Sequence, residues 1–349
     1  MKKTFVIQYE VNDACNLRCS HCYHGLNVMK ESPVTLHRLF CDLEEMKALL
    51  GPDYTIVIGS SGGEVFMRKD LMDLVLQTML NGYATYMLTN GTLVTPEKAR
   101  QLLVRGVQMT RISVDGGTEA LHDGIRGRGQ FQKTLQGIRA LRETGQPVAL
   151  TCTLMCDYND AYADVKALFD LARREDVFKL NFSRMFAQGD GKNTPEYVYG
   201  EGLVFKAKLE MLWDLAAEYP DIEVVIKDPL AKNIERSLSS NLTIDVCCYI
   251  KKDFISVAAN GDVYACRKLD KTVGNLLEDT LANIWENNTL LQQMDDRRLY
   301  MEGKCRTCPI NTECRGGCLA ASYGQYGRLF VPDPACWREE TPADLVANA

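Results

Sequence analysis

The stretch DACNLRCSHCYH, residues 13 to 24, sets Cys15, Cys19 and Cys22 in a CxxxCxxC triplet near the start of a 349-residue chain. A structural zinc closes a tetrahedron with four ligands, and disulfides take thiols in pairs. Three thiols this close either borrow a distant ligand, with His21 or His24 at hand, or leave a coordination position open for a reactant. The run before them, TFVIQYEV (4–11), alternates apolar and polar residues and reads as a strand. The triplet therefore falls at the C-terminal end of a strand, where enzymes built from βα units carry their sites.

Working outward, YTIVIGS (54–60), ATYMLT (84–89), VQMTRISV (107–114), PVALTCTLM (147–155) and VFKLNFSRM (177–185) read as further buried strands. Apolar residues at helical spacing separate them near 35–50, 69–80, 96–105, 131–144 and 162–173. This alternation predicts an α/β fold with a parallel sheet, open or curled into a barrel; six units fall short of a closed eightfold barrel. The polar, Gly-rich AQGDGKNTPEYVYGEG (187–202) reads as a loop, and an amphipathic helix near 203–218 bridges to a second region. The expected divisions are 1–200, a bridge over 201–246, and 247–349. The last holds eight of the fourteen cysteines and a hairpin signal, FISVAANGDVYAC (254–266), turning at Asn260-Gly261. It is too small and loop-rich to rely on a hydrophobic core alone, so metal is expected to cross-link it.

Composition narrows the function. With 46% hydrophobic residues the chain buries a proper core, and its formal charge of -6 with no basic block interleaved with aromatics argues against nucleic acid; IRGRGQ (125–130) is too short to change that. The N-terminal apolar run reaches Glu10 too soon for a signal peptide, and no run approaches a membrane span. Cysteines in such a chain are expected in the reducing cytoplasm, holding metal or doing catalysis. Cys41 reads as a small buried hydrophobe; Cys152 and Cys156 share a strand face and read as inert core thiols, with a hydrogen-atom donor or reactive thiol as the alternative for Cys156, which falls near the site end.

The CxxxCxxC triplet after a first strand resembles the radical S-adenosylmethionine (SAM) superfamily. That resemblance implies a 4Fe-4S cluster on Cys15, Cys19 and Cys22 whose fourth iron takes the amino and carboxylate groups of SAM. SSGGEVF (60–66) is similar to the family's GGE element: Gly62 and Gly63 would let backbone approach SAM and Glu64 would receive its ammonium, although Val65 stands where Pro is usual. LTNGT (88–92), with Asn90, and ISVDGG (112–117) resemble pocket-lining segments. Ser113, Asp115 and Arg126 are then candidates for SAM's ribose and carboxylate, and His21 for the place beside its adenine. The cysteines downstream resemble a SPASM domain with two auxiliary 4Fe-4S clusters: Cys266, Cys318 and Cys247 or Cys248 on the first; Cys305, Cys308, Cys314 and Cys336 on the second. The implied architecture is a partial (β/α)6 TIM-like barrel followed by a small Cys-rich α+β SPASM domain. A pair of zinc ribbons is the bland alternative, which the gaps of five and three residues in CRTCPINTECRGGC (305–318) fit poorly.

The implied chemistry is reductive cleavage of SAM to methionine and a 5'-deoxyadenosyl radical, which takes hydrogen from an unactivated carbon. The implied substrate is a ribosomally made peptide, cross-linked through thioether or carbon–carbon bonds. A flavodoxin- or ferredoxin-type donor would supply electrons. No fused leader-recognition module is expected ahead of the first strand, so recognition would be direct or through a separate leader-binding protein. Arg267 replaces the acidic residue that sulfatase-maturating relatives carry after the cysteine matching Cys266. A tetrapyrrole side-chain modifying enzyme and a non-catalytic iron–sulfur or zinc protein are the alternatives. The sharpest expectation is three cysteine ligands and one open iron on the first auxiliary cluster, because adjacent Cys247 and Cys248 point to opposite faces of an extended segment.

Overall fold

The computed structural model describes residues 2–24, 32–245 and 253–339. Strand β1 (Lys3–Glu10) alternates as expected: Phe5, Ile7 and Tyr9 are fully buried beneath helices, while Thr4, Val6 and Gln8 face a central cavity. The strands β2 (Tyr54–Ser61), β3 (Ala84–Thr89), β4 (Met109–Ser113), β5 (Val148–Leu154) and β6 (Lys179–Arg184) follow in parallel, each beside its predecessor. Alternate residues of five of them, among them Val6, Leu88, Ser113, Thr153 and Ser183, line that one cavity. The sheet must therefore curl round it as a partial barrel.

The helices α1 (Leu36–Leu50), α2 (Leu71–Leu80), α3 (Pro96–Val104), α4 (Glu119–Arg126), α5 (Gln130–Glu143) and α6 (Tyr162–Arg174) alternate with these strands. Local chemistry sets their ends. Thr35 Oγ1 accepts the Arg38 N–H to start α1, and Gly51 stops it at φ +76°. Leu39, Leu43 and Met46, at helical spacing, bury its inner face. The short α4, held between Thr118 and Gly127, buries His122, Ile125 and Arg126 at helical spacing.

Two features extend the expected layout. The segment 201–246 holds α7 (Gly202–Glu218) and also two parallel strands, β7 (Glu223–Ile226) and β8 (Leu242–Ile244), which continue the sheet beyond β6. In the C-terminal region, β9 (Phe254–Val257) pairs parallel with β1 on the side opposite β2, and β10 (Asp262–Tyr264) and β11 (Thr272–Asn275) complete the hairpin and edge. The order is β11-β10-β9-β1-β2-β3-β4-β5-β6-β7-β8. The first part of the cysteine-rich region thus shares the barrel's sheet and core rather than standing apart: Trp285 packs edge-on against Phe5 with centroids 4.9 Å apart, and Asp42 of α1 caps the Leu281 N–H at 3.1 Å. Among the described residues no helix is long and apolar enough to cross a membrane.

Candidate active site

The loop after β1 carries the triplet, and its path is dictated by the ends of β2 and β3. Gly63 N–H donates to Asn12 O at 3.0 Å and Glu64 N–H to Ala14 O at 2.6 Å. A Cβ on Gly62, at φ +135°, or on Gly63 would lie 2.2 Å from the Asn12 or Ala14 carbonyl oxygen. The paired glycines are required by the approach of the cysteine loop itself. Asn90 Nδ2 donates to Asn16 Oδ1 at 2.9 Å, Ser20 N–H to Ile125 O at 3.2 Å, and Asp190 N–H to Cys22 O at 2.8 Å. The triplet is thereby held by the loop after β3, the end of α4 and the segment after β6.

Behind this loop sit two buried anions. Glu64 accepts from Phe66 N–H (3.2 Å) and Thr89 Oγ1–H (2.7 Å) on one oxygen and from Asn90 N–H (2.8 Å) on the other. Burial raises its carboxyl despite these donors. Asp115 lies 2.9 Å from His21 Nε2 and 2.7 Å from Arg126 Nε, and accepts the Thr153 N–H at 3.0 Å. Burial opposes its charge, yet Arg126 and His21 outweigh that and hold it well below the carboxylate range. The Arg126 guanidinium also reaches within 3.9 Å of Cys19 Sγ. The predicted residues Cys15, Cys19, Cys22, His21, Gly62, Gly63, Asn90, Ser113 and Arg126 all line the cavity of about 550 Å³, whereas Glu64 and Asp115 stand behind its wall.

Cys266 and Cys318 open onto the same cavity, and Cys266 adds to the upward push on the Cys318 thiol. Cys305, Cys308, Cys314 and Cys336 form a separate group in mutual electrostatic reach. Cys247 and Cys248 lie outside the described residues. Burial pushes Cys19 up to about 11 and Cys305, Cys314 and Cys318 up to about 12, so without iron these thiols are neutral and ligation must release protons. A side chain that sequence reasoning missed ties the two halves: Arg184, fully buried at the end of β6, pairs with Asp228 (2.8 Å) and Asp333 (3.0 Å). Asp333 in turn accepts the N–H of Cys318 at 2.8 Å and of Ala335 at 2.9 Å.

The group following Cys266 is also structural. Arg267 Nε donates to Glu10 Oε1 at 2.7 Å and its guanidinium stacks on Tyr264 at 4.4 Å. Glu10, fully buried, is pushed up to about 7 by burial, which Arg267 only partly offsets. A folded-state value above the unfolded 4.5 means the folded protein holds a proton the unfolded chain releases. This contribution is full below about 4.5 and is lost as pH rises through about 7, up to about 3 kcal/mol. Glu10→Gln should flatten that part of the pH dependence of the anaerobic urea midpoint between pH 5 and 8; an unchanged slope would remove Glu10 from this role.

The donor sets fit clusters better than single ions. Tetrahedral zinc at about 2.3 Å puts neighbouring sulfurs about 3.8 Å apart. Among the described residues, no three cysteine or histidine ligand atoms of the triplet or the C-terminal sets come within 4.8 Å of one another; only Glu10, Asp13 and His24 do. Such wider spacing suits several irons. His21 Nδ1 and Arg111 Nε, on cavity-lining residues, are buried without a partner, as suits a polar ligand there. One side expectation is corrected. Cys41 is exposed, 3.8 Å from His37 Nε2, because it falls on the outer face of α1. Cys156 lies past the end of β5 with its N–H on Tyr197 O and does not line the cavity.

Comparison with known proteins agrees. Residues 9–172 match the radical SAM superfamily model, and residues 247–309 match SPASM, an iron–sulfur cluster-binding domain. An AdoMet-dependent heme synthase of Methanosarcina barkeri is 26% identical over 95% of this chain and 95% of its own. The mycofactocin maturase MftC of Mycobacterium tuberculosis is 27% identical over 95% of this chain and 82% of its own. The crystal structure of Streptococcus suis SuiB bound to S-adenosylmethionine shares the fold, with a TM-score of 0.71 at 15% identity over 97% of this chain and 77% of that one.

Proposed function

The chain is a radical SAM enzyme with a SPASM iron–sulfur cluster-binding domain, and from that premise we propose that it oxidatively cross-links a ribosomally made peptide through a thioether or carbon–carbon bond. The observation that carries this reading is the single cavity shared by Cys15, Cys19 and Cys22 with Cys266 and Cys318. A substrate bound there touches both a radical-generating site and an electron acceptor. When bound, the cluster on the triplet supplies the electron that cleaves SAM to methionine and a 5'-deoxyadenosyl radical. The substrate then loses one hydrogen atom to that radical and one electron with a proton as the new bond closes. Cys266 and Cys318 with Cys247 or Cys248, and Cys305, Cys308, Cys314 and Cys336, would hold two auxiliary 4Fe-4S clusters, which would supply an acceptor for that electron, and a flavodoxin- or ferredoxin-type donor would supply the first.

The chain's own residues orient and exclude. Arg126 and His21, fixed by Asp115, present polar groups to SAM, and Ser113 and Asn90 line the wall beside them. Among the described residues Glu64 Oε2 accepts one N–H, from Asn90, which leaves it capacity for SAM's ammonium. Glu64→Gln should therefore weaken SAM binding by roughly 10- to 150-fold, the equivalent of about 1.5–3 kcal/mol for a charge-assisted hydrogen bond. An unchanged dissociation constant in a folded variant would end that role.

A second reading, oxidation of a tetrapyrrole side chain, is favoured by the heme synthases being as similar in sequence as the maturases. The cavity's mainly apolar lining, with Leu88, Met185 and Phe186 beside Asp13, Asp190 and Lys268, accommodates either class of substrate, so experiment must separate the two readings. The test is to reconstitute the protein anaerobically with SAM and dithionite, and to add either a short peptide encoded beside its gene or Fe-coproporphyrin III. The peptide should raise 5'-deoxyadenosine above the abortive background; stimulation by the porphyrin alone would favour the second reading.

A further inference from the structure

Arg297 is fully buried beside the C-terminal cysteines, in a turn (Arg297–Leu299) just after the helix Thr289–Asp295. Its Nη2 donates to Cys314 O at 3.2 Å and Gly317 O at 3.1 Å. Those carbonyls flank a turn whose residues Arg315, Gly316 and Gly317 all have positive φ, at 53°, 80° and 82°. The turn joins a cysteine of one auxiliary set, Cys314, to a cysteine of the other, Cys318. Arg297 Nε and Nη1 are buried with no hydrogen-bond partner, and no carboxylate of the described residues pairs with the side chain. The residue also borders the cavity beside Met294, Cys318 and Leu319.

A guanidinium removed from water and bonded only to two neutral carbonyls is strongly unfavourable unless an anion lies against it. Cys314, whose carbonyl Arg297 holds at 3.2 Å, is a group able to supply one once ligation has made it a thiolate. We infer that Arg297 is the buried counter-charge of the auxiliary iron–sulfur sites, directing its free N–H groups at their sulfur and raising the potential at which they accept the substrate's electron. The inference rests on the assignment of the C-terminal cysteines as cluster ligands. Thiolate-ligated clusters are net anionic, so adding an electron is eased by a cation in a low-dielectric site and by N–H groups facing sulfur.

The experiment is an EPR-monitored redox titration of the anaerobically reconstituted full-length protein without substrate, comparing wild type, Arg297→Gln and Arg297→Lys, with iron content measured on each. The radical-site signal, recognised by its response to SAM, serves as the internal reference. Expected is a downward shift of an auxiliary midpoint in Arg297→Gln, recovered in Arg297→Lys, with the reference unmoved. If Arg297→Gln loses auxiliary iron and Arg297→Lys keeps it at the wild-type potential, charge is again what matters. Wild-type auxiliary potentials in an iron-replete Arg297→Gln would overturn the inference and leave the free N–H groups to a substrate anion. Loss of iron in both variants would overturn it in favour of a purely mechanical brace. Absence of any auxiliary cluster in the wild type would instead defeat the ligand assignment on which it stands.

Discussion

Alanine at Cys15, Cys19 or Cys22 is expected to bring 5'-deoxyadenosine production to background while the C-terminal cysteines keep their iron. Each thiol is one of three that would hold the cluster, and two remaining ligands leave it without its anchorage. Cys15 and Cys22 lie outside the buried hydrophobic clusters, and Cys19 packs only on the edge of the small one formed by Ile125, Met155 and Met185. The loop bonds that set its path use Asn12, Ala14, Asn16 and Ser20, so the fold should survive the substitutions. The region behind β9–β11 shares a sheet with β1, yet its cysteines come from other loops, and their iron should be unaffected. Iron analysis with a SAM-cleavage assay reads both halves. Product formation by all three variants would show that the radical site lies elsewhere.

Arg184→Met is expected to destabilise the protein by about 3–5 kcal/mol, because it strands two buried carboxylates. Burial already pushes Asp228 up to about 6, against the pull of Arg184. Without the guanidinium, Asp228 and Asp333 face each other without the counter-charge they share. Asp333 carries the N–H of Cys318 and of Ala335, next to Cys336, so both auxiliary ligand loops loosen together. The anaerobic urea midpoint should fall and auxiliary iron should drop, with the triplet's iron retained. A loss under about 1 kcal/mol with full auxiliary iron would contradict the role given to this pair.

Why some of this was legible in sequence and some was not follows from what each feature depends on. Strands β1 to β6 are short runs with buried apolar residues between helical patterns, and each could be read locally. β7 and β8 have only four and three residues, and their register comes from the neighbouring strand rather than from alternation of their own. The C-terminal hairpin was visible at Asn260-Gly261, but its pairing with β1 joins residues about 250 positions apart, which no local pattern encodes. The cysteine sets are fixed by spacing and stood out. Their supports did not: Arg184 and Asp333 meet across 149 residues. Only the position of Arg184 at the C-terminal end of a strand could have drawn notice. The glycine pair was legible, although its immediate physical cause is the backbone of Asn12 and Ala14.

The most direct test of the proposed reaction is isotope transfer. The reconstituted protein is incubated anaerobically with SAM, dithionite and a peptide substrate carrying deuterium at its non-exchangeable carbons, and 5'-deoxyadenosine and peptide are weighed by mass spectrometry. A radical formed within reach of Cys15, Cys19 and Cys22 and a substrate held in the shared cavity predict one deuterium in 5'-deoxyadenosine. They also predict a matching cross-linked peptide that has lost two hydrogens, one of them as that deuterium. Unlabelled 5'-deoxyadenosine with an unchanged peptide, while Fe-coproporphyrin III is converted under the same conditions, would contradict it.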